Sequence, residues 1–463
     1  MTKRFEHYLY SLKNKKIAVL GMGISNRPLV DFFYENDIYP DLFDKNEDEA
    51  LHKKYHIPGK NRVFLGHDYM SYCKGYDLIF KTPSMRPDLP ELIAERERGA
   101  KITSEINEFL KFCPCKTFGI TGSDGKSTTT TIIAKMLEAE GYKVWLGGNL
   151  GTPLFNCLPK IKEDHMAVLE LSSFQLMTTE VSPNVAVITN ITPNHLDIHK
   201  DFDEYIQAKK NILRYQKKND KAVLNMDNKI TKEFYEDYEN EAIGFCKHQD
   251  CVSCICYVDG VICKIDKMHN RMVLLEADRI RLPGIHNIEN YMAACGAVLD
   301  DVCINSIQSV AYSFKGVEHR REEVRTVNGR TFYNDSIASS PTRTKATLST
   351  FKNKVILIAG GKDKKNDYSI VAEDLCNKVK VLILTGQTAQ AIEDAVKRYM
   401  EENRIEGPKI YRFDDFEKAV RFSYEISEPG DEILLSPAST SFDRFKNFEE
   451  RGNYFKEIVE KLS

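Results

Sequence analysis

The segment FGITGSDGKST, residues 118–128, decides the fold of this chain. It starts as an apolar run typical of a buried strand and passes through a glycine-rich turn. The residues that follow place Ile132, Ile133, Met136 and Leu137 at helical spacing. Glycines let backbone N–H groups converge on phosphate oxygens, and the N-terminus of a helix attracts their negative charge. The segment therefore predicts a phosphate-binding loop between a strand and a helix.

The spacing of this loop departs by one residue from the common nucleotide-binding pattern. That pattern has glycine at position 120, where this chain has Ile120, and Gly119 lies one residue early. The alternative is a helix N-cap loop that contains a lysine by chance. Because strand, turn and helix occur together, phosphate binding is favoured, with Lys126 reaching the β- and γ-phosphates and Ser127 holding Mg²⁺. The predicted ATP-binding residues of the loop are Gly122, Ser123, Asp124, Gly125, Lys126, Ser127 and Thr128.

Short β-branched runs alternate with longer amphipathic stretches on both sides of this loop. Most of the runs are continuously apolar, which is typical of parallel strands buried on both faces. The helical stretches between them predict right-handed βαβ units, so the fold class is α/β with mainly parallel sheets. Strands are predicted at residues 17–20, 42–43, 78–80, 117–120, 144–146, 168–171, 185–189, 222–224, 355–359, 381–384 and 433–435.

Chain length and turn motifs predict three domains. The chain has 463 residues, and domains average about 150 residues. Glycine-rich turns follow an early strand in each third, at residues 21–23, at the phosphate loop and at residues 360–362. We expect boundaries near residues 105 and 315, which gives domains 1–105, 106–315 and 316–463.

Charge and hydropathy exclude several classes of protein. The 65 basic and 68 acidic residues give a net charge of −3, without the basic excess of a nucleic-acid-binding protein. The longest apolar runs, such as residues 355–359, are far too short for a membrane span. The first ten residues lack the apolar core of a secretory signal. We therefore expect a cytoplasmic protein.

Five of the 12 cysteines crowd into residues 246–263. They are Cys246, Cys251, Cys254, Cys256 and Cys263. One interpretation is a zinc site, and the other is a β-hairpin of reduced cysteines around the turn Asp259-Gly260. Only one CxxC pair is present, and no second pair completes a tetrahedral set. The spacing therefore favours the reduced hairpin.

Polar residues follow two of the central strands. Glu170 stands at the end of a buried strand, where its carboxylate suits Mg²⁺ directly or through water. His195 lies beyond the carboxyl end of the next strand, where α/β sheets place ligands. Taken singly, they resemble a solvated strand-end glutamate and an ordinary loop histidine. Lys209 and Lys210, on a later helix, look from local sequence like solvated residues.

The first third carries an incomplete dinucleotide fingerprint. Gly21 and Gly23 follow the first strand, but Asn26 stands in place of the third glycine. Asp44 ends the second strand, where an acid often contacts a ribose. Alone, this pattern is weak evidence for a nucleotide site.

Taken in order, several motifs along nearly the whole chain resemble the Mur ligases. Besides the phosphate loop they are GGNLG at 147–151, LELSSFQ at 169–175, NHLD at 194–197, LPGIHN at 282–287, HR at 319–320 and NDS at 334–336. The resemblance implies a Rossmann-like first domain that binds a UDP-linked substrate. It also implies a P-loop ATPase-like central domain that binds ATP, and a Rossmann-like last domain that binds an amino acid.

Two segments resemble those members of the family that add D-glutamate. They are residues 171–176 and 435–448, while the Asp-Asn-Pro-Arg motif of members that add lysine or meso-diaminopimelate is absent. The implied reaction joins UDP-N-acetylmuramoyl-L-alanine to D-glutamate through an acyl phosphate, with release of ADP and phosphate. The small-molecule substrates imply no nucleic-acid or membrane partner, and we expect a monomer.

The resemblance also implies roles for individual residues. Glu170, His195 and Lys209 join Ser127 around two Mg²⁺ ions in the family's pattern, with Lys209 carried as a carbamate, and Lys126 is catalytic with them. The implied contacts to ATP outside the loop are Asn287, Asn290, Arg320 and Asp335. Those to the UDP substrate and its carboxylate are Ser25, Asp44, Ser84 and Asn149. Those to D-glutamate are Ser339, Lys364, Ser441 and Phe448.

One residue departs from this pattern, and two other functions compete with it. Asp124 stands where asparagine is frequent, and its charge near phosphates would alter ATP affinity. A folylpolyglutamate synthase would need a folate pocket instead of the turn at Gly21. A regulatory protein that binds ATP without catalysis would be expected to lack Glu170, His195 and Lys209 together.

Overall fold

The computed structural model describes residues 1–47, 49–193, 199–248, 253–363 and 366–463. These residues form two compact units, Met1–Phe314 and Lys315–Ser463. The first unit contains two β-sheets and the second contains one. The three-domain division expected from length and turn motifs stays a prediction.

The first sheet is parallel, with strand order β3-β2-β1-β4-β5. Its central strands β1 and β4 are buried at every position, which explains their apolar sequences, although β4 ends in the buried Lys81. The strands are β1 Ile17–Leu20, β2 Asp41–Asp44, β3 Val63–Leu65, β4 Leu78–Lys81 and β5 Lys101–Thr103. The helices are α1 Lys3–Leu12, α2 Arg27–Glu35, α3 Glu49–Tyr55, α4 Pro90–Glu97 and α5 Glu105–Phe112, with a 3₁₀ turn at Tyr69–Tyr72.

The second sheet has the order β14-β13-β12-β11-β10-β9-β6-β8-β7. It is parallel from β7 to β12, and β13 and β14 add an antiparallel extension. The strands are β6 Lys116–Thr121, β7 Val144–Gly148, β8 Met166–Glu170, β9 Val185–Ile188, β10 Lys221–Asn225, β11 Glu241–Cys246, β12 Cys254–Val258, β13 Val261–Ile265 and β14 Arg271–Glu276. The helices are α6 Lys126–Glu140, α7 Ser173–Leu176, α8 Phe202–Arg214, α9 Lys229–Glu236, α10 Ile285–Val298 and α11 Ile304–Ser313, with 3₁₀ turns at Phe155–Lys160 and Ala277–Arg279.

Aromatic packing joins the two sheets of the first unit. The ring centroid of Phe5 in α1 lies 5.6 Å from that of Phe112 in α5 and 5.5 Å from that of Phe155. These side chains belong to one hydrophobic cluster that includes residues of both sheets. The cluster joins the cores of the two sheets in one packed body.

The sheet of the second unit has the order β15-β16-β20-β17-β18-β19, in which β15 is antiparallel to β16 and the neighbouring strands from β16 to β19 are parallel. Apolar clusters cover both faces. The strands are β15 Glu322–Val327, β16 Arg330–Asn334, β17 Val355–Ala359, β18 Val379–Thr385, β19 Lys409–Phe413 and β20 Glu432–Leu435. The helices are α12 Pro341–Leu348, α13 Ser369–Lys378, α14 Ala389–Asn403, α15 Phe416–Glu425 and α16 Phe448–Glu460.

The predicted α/β class with mainly parallel sheets is confirmed. Within the described residues, every helix is too short or too polar to cross a membrane.

Candidate active site

The phosphate loop has the strand, turn and helix that the sequence predicts. Thr121 ends β6, and α6 begins at Lys126 directly after Gly125. Gly122 and Gly125 have φ angles of +150° and +80°, which favour glycine. A Cβ on Gly125 would overlap the Asn290 side chain, so the turn has no room for a larger residue.

Hydrogen bonds to the strand-end segment after β9 hold this loop in place. The Ser123 N–H donates to the Asn190 carbonyl at 2.8 Å, and the Ser123 hydroxyl donates to the Thr192 carbonyl at 2.9 Å. The Asp124 N–H donates to Asn190 Oδ1 at 2.9 Å, while the Asp124 residue itself is exposed. The backbone of Asp124 therefore shapes the loop, and its carboxylate lies at the protein surface.

Lys126 folds back over the loop. Its Nζ donates to the carbonyl oxygens of Gly122 at 2.9 Å and Ser123 at 2.8 Å. Ser127 is half-buried at the start of α6, and Thr128 behind it is buried. An incoming phosphate would replace the two carbonyls as the partner of Nζ, because a charged acceptor forms the stronger hydrogen bond.

Glu170 ends β8 with only 2% of its surface exposed. Its Oε1 accepts a hydrogen bond from Asn149 Nδ2 at 2.8 Å, and its backbone carbonyl accepts from the Asn149 N–H at 2.7 Å. Its Oε2 is buried and has no hydrogen-bond donor among the described residues. A buried carboxylate oxygen without a donor is costly, and a hard cation or its water would satisfy it. The site therefore fits Mg²⁺.

Lys209 lies inside the protein, and the interpretation of its local sequence as a solvated residue is wrong. It is 2% exposed, and its Nζ donates to the Gly122 carbonyl at 2.7 Å and to Thr121 Oγ1 at 3.3 Å. Burial holds the pKa of Lys209 well below its ordinary value, and the positive charge of Lys126 acts in the same direction. Helix α8 thus places the Lys209 amine in contact with the Gly122 carbonyl of the phosphate loop.

His195 and its neighbours 194–198 lie outside the described residues, so the role predicted for His195 stays a prediction. Just after them, the His199 ring nitrogen Nε2 lies 2.9 Å from Ser173 Oγ. Glu204, in the first turn of α8, accepts two hydrogen bonds from Arg86, at 2.8 and 3.1 Å. This link between the segment after β4 and α8 joins residues 118 positions apart, and no local pattern indicates it.

Asn287 and Asn290 connect α10 to α6 beside the loop. Asn287 Nδ2 donates to the Pro283 carbonyl at 2.6 Å, and Asn290 Nδ2 donates to Asn287 Oδ1 at 3.1 Å. Asn290 Oδ1 in turn accepts from Thr129 Oγ1 at 3.2 Å. Both amides therefore support the start of a helix, and their predicted contacts to adenine stay predictions.

The residues predicted to bind the UDP substrate follow neighbouring strands of the first sheet. Asp44 is buried at the end of β2, and its carboxylate accepts the N–H groups of Met22 at 2.6 Å and Asn46 at 2.8 Å. Ser25 is half-buried after β1, and Ser84 is exposed after β4. The carboxyl ends of these strands share one sheet edge, where α/β folds bind ligands.

Asp335 is a buried acid of the site predicted in the second unit, and its pKa is shifted. It is 2% exposed, accepts the Ser436 hydroxyl at 2.7 Å and accepts the Arg321 N–H at 3.2 Å. Burial raises the pKa of Asp335 to about 6. Arg320, half-buried, lies on the turn just before. Lys364 lies outside the described residues.

A buried arginine that sequence reasoning missed supports the segment predicted to hold D-glutamate. Arg451 Nε donates to Ser336 Oγ at 3.0 Å, and Nη1 donates to the Ser439 carbonyl at 3.2 Å. Burial lowers the pKa of Arg451 to about 10. Near these contacts in sequence, Ser441 is buried, whereas Ser339 and Phe448 are half-buried.

Comparison with known proteins identifies the family. Residues 120–298 match the Mur ligase middle domain, and residues 319–439 match the Mur ligase glutamate ligase domain. The UDP-N-acetylmuramoylalanine--D-glutamate ligase of Ruminiclostridium cellulolyticum is 50% identical over 467 residues, and all of both chains is covered. The chain belongs to the Mur ligase family. The ligase of the same name from Clostridium novyi is 47% identical, again over the full length of both chains.

Solved structures of other Mur ligases share the fold. The UDP-N-acetylmuramate-alanine ligase of Thermotoga maritima has a TM-score of 0.58 at 18% identity, and covers 96% of this chain and 99% of its own. MurF ligase from the same organism, in complex with ADP, has a TM-score of 0.57 at 18% identity, with 98% and 97% covered. Mur ligases use ATP to ligate peptidoglycan precursors, and the predicted enzyme class is confirmed.

Proposed function

We propose that this Mur ligase adds D-glutamate to UDP-N-acetylmuramoyl-L-alanine, using ATP and Mg²⁺, as a cytoplasmic monomer. The observation that carries the proposal is the 50% identity, over the whole of both chains, to a relative named for that reaction. The site agrees chemically, because a phosphate loop, a buried carboxylate and a buried amine meet at one sheet edge.

The reaction needs activation of a carboxylate. A carboxylate does not form an amide with an amine at neutral pH, because oxide is a poor leaving group. In the proposed reaction, the carboxylate of the alanyl substrate attacks the γ-phosphorus of ATP, and the bond to ADP breaks. The amine of D-glutamate then attacks the acyl phosphate, loses a proton, and expels inorganic phosphate.

The chain stabilises the charge that develops during phosphoryl transfer. Backbone N–H groups at the start of α6 and the ammonium of Lys126, which lies against the Gly122 carbonyl, are proposed to contact the phosphates. Preorganised donors of this kind stabilise a transition state without reorganisation. Asn149, which already orients the Glu170 carboxylate, is proposed to contact the substrate carboxylate as well.

Glu170 and Ser127 are the described residues proposed to hold Mg²⁺, and the sequence adds His195. The buried Oε2 of Glu170 supplies the hard oxygen that this ion prefers. When bound, Mg²⁺ neutralises charge on the phosphate oxygens. A second ion is proposed at Lys209.

Lys209 is proposed to act as a carbamate. A neutral amine attacks CO₂ and releases one proton, which leaves an anionic oxygen donor on the side chain. Its burial favours this step, because a lowered pKa increases the neutral fraction of the amine. The carbamate would convert a cation beside the loop into a ligand for the second ion.

The incoming amino acid is assigned to the second unit. Ser339, Lys364, Ser441 and Phe448 are proposed to bind D-glutamate, and Arg320 and Asp335 to contact the nucleotide. Ser25, Asp44 and Ser84 are proposed for the UDP part of the other substrate.

The decisive test measures ADP release with ATP, Mg²⁺ and UDP-N-acetylmuramoyl-L-alanine. D-glutamate, L-glutamate, L-lysine and meso-diaminopimelate are offered in separate reactions. We expect turnover with D-glutamate alone. Turnover with a different amino acid would overturn the assignment of the second unit, and no turnover with any of the four would overturn the proposed reaction.

A further inference from the structure

Four cysteines lie on one face of the second sheet, on strands β11 to β13. The phosphate loop follows β6, elsewhere in the same sheet. Cys246 in β11 pairs with Cys256 in β12, and Cys256 pairs with Cys263 in β13. Cys254 lies two residues before Cys256 on the same strand. Paired residues and residues two apart point to the same side of a sheet, so the four thiols share a face.

Three of these thiols are close enough to bind one ion. The sulfur of Cys256 lies 3.1 Å from that of Cys254 and 3.5 Å from that of Cys246. The ligand atoms of Cys246, Cys254 and Cys256 all lie within 4.8 Å of one another, and each residue is at most 1% exposed. Sulfur ligands at the usual distance from zinc are separated by about 3.8 Å, so the cluster needs only small shifts.

The surroundings of the cluster favour a soft ion. Met226, Val258 and Ile265 pack against the thiols. A Cβ on Gly244, two residues before Cys246, would lie 3.3 Å from the Met226 sulfur, so a thioether lies beside the same face. Thiolate and thioether sulfur select Zn²⁺ and Cu⁺ over hard cations such as Mg²⁺.

A positive charge lies at the edge of the cluster. The Arg271 guanidinium interacts with the Cys263 thiol, on the strand next to Cys256. A cation held by three thiolates carries a net negative charge, and burial of that charge is expensive without compensation. Arg271 also forms an ion pair with Asp259 at 3.4 Å, so it compensates only part of that charge.

The linear spacing of the cysteines does not indicate this site. Cys251, the first member of the one CxxC pair, lies outside the described residues. The three close thiols come instead from cross-strand pairing, which linear spacing does not reveal. The predicted hairpin around Asp259-Gly260 is present, and β12 and β13 form it.

We propose that Cys246, Cys254 and Cys256 form a thiolate site for one soft d¹⁰ cation, Zn²⁺ or Cu⁺, separate from the nucleotide site. Each thiol loses its proton to solvent as its sulfur coordinates the ion. The competing role for buried cysteines is that of small apolar side chains, which bind no metal. This proposal does not depend on which amino acid the enzyme adds.

The test uses the full-length protein without a metal-binding tag, handled without oxygen. Zn²⁺ and Cu⁺ are added in separate arms against a coloured chelator for each ion, and the metal retained per chain is measured. We expect about one equivalent of at least one ion in the wild type, none in Cys254→Ala or Cys246→Ala, and full retention in Cys303→Ser. Cys303 is an exposed cysteine outside the cluster, which makes it the matched control.

Two results would overturn the proposal. One is the absence of retained metal in both arms for the wild type. The other is undiminished retention in a folded Cys254→Ala variant. Because an alanine variant can fail to fold, Cd²⁺ is also added to the wild type alone. Sulfur-to-cadmium charge-transfer absorption is expected, and its absence argues against the site without any variant.

Discussion

The amine of Lys209 shows how burial changes the chemistry of one side chain. A solvated lysine is a cation at neutral pH, but Lys209 is 2% exposed and donates to the Gly122 carbonyl and the Thr121 hydroxyl. Its neighbour Lys210 is partly exposed and lies 3.9 Å from Asp237. The two residues thus provide a matched pair that differs mainly in environment.

We expect Lys209→Ala to lower kcat by more than about 100-fold, a loss similar to that of one preorganised electrostatic group. Lys210→Ala is expected to retain near wild-type turnover. Both variants should keep the wild-type circular dichroism spectrum. If Lys209 acts as a carbamate, small carboxylates added to Lys209→Ala should restore part of the activity, and full activity without them would contradict the assigned role.

The raised pKa of Asp335 leads to a prediction about how the stability of the protein depends on pH. Burial raises its pKa from 3.8 in the unfolded chain to about 6. The folded state therefore binds the proton of Asp335 more tightly than the unfolded state does. The protonated carboxyl group makes its full contribution to stability below pH 3.8, and this contribution is lost as pH rises through 6. An asparagine at this position cannot ionise and stays neutral at every pH.

We therefore expect Asp335→Asn to gain stability relative to the wild type between pH 4 and 7, by up to about 3 kcal/mol. Urea unfolding of both proteins at several pH values measures this difference. Curves that run parallel across the range would show that Asp335 has the same pKa in the folded and unfolded states, and would contradict the prediction.

Among elements, most strands buried on both faces were predictable, whereas most edge strands, with β7 as an exception, were not. Every strand predicted from a continuous apolar run is present, with ends that shift by at most two residues. The missed strands include β3, β15 and β19, which lie at sheet edges and are partly exposed along their length. Exposure replaces the apolar run with a mixed sequence, which removes the signal.

The same limit applies to the site. The phosphate loop is contained in consecutive residues, so its glycines and lysine could be predicted from sequence alone. The contact of Lys209 with Thr121 spans 88 positions, and its burial follows from the packing of α8. Only the family resemblance indicated Lys209, and nothing in the sequence indicated Arg86 or Arg451.

Arg86 joins two elements that carry predicted site residues. It forms paired hydrogen bonds with Glu204 in α8, and it also contacts Asp88 at 2.8 Å. Arg86 holds the pKa of Glu204 low, at about 2. Because the side chains of Arg86 and Glu204 are only 25% and 22% exposed, solvent screens them less than an ordinary surface pair.

We expect Arg86→Ala to lower the free energy of unfolding by about 1.5–3 kcal/mol, the range for hydrogen bonds to charged groups. Arg421→Ala is the control, because its pair with Glu417 is about 40% exposed and such pairs contribute little. Thermal or urea unfolding measures both. Equal losses of unfolding free energy in the two variants would mean that the pair of Arg86 and Glu204 stabilises the protein no more than an exposed ion pair does.

At the scale of the whole molecule, the boundary predicted near residue 105 can be tested with fragments of the chain. A chain cut at residue 105 would lose α5, whose Phe112 packs on Phe5. It would also lose Phe155, which packs on the same ring. Glu105 is buried and accepts the N–H groups of Leu154 at 3.0 Å and Phe155 at 2.8 Å.

We therefore expect fragments 1–314 and 315–463 to fold separately, and fragment 1–105 to remain without fixed tertiary structure. Each larger fragment retains complete hydrophobic clusters, whereas 1–105 exposes aromatic surface that is buried in the intact chain. Near-ultraviolet circular dichroism and the cooperativity of urea unfolding distinguish these states. A cooperative transition in fragment 1–105 would show that the first sheet folds without the second and would support a domain boundary there.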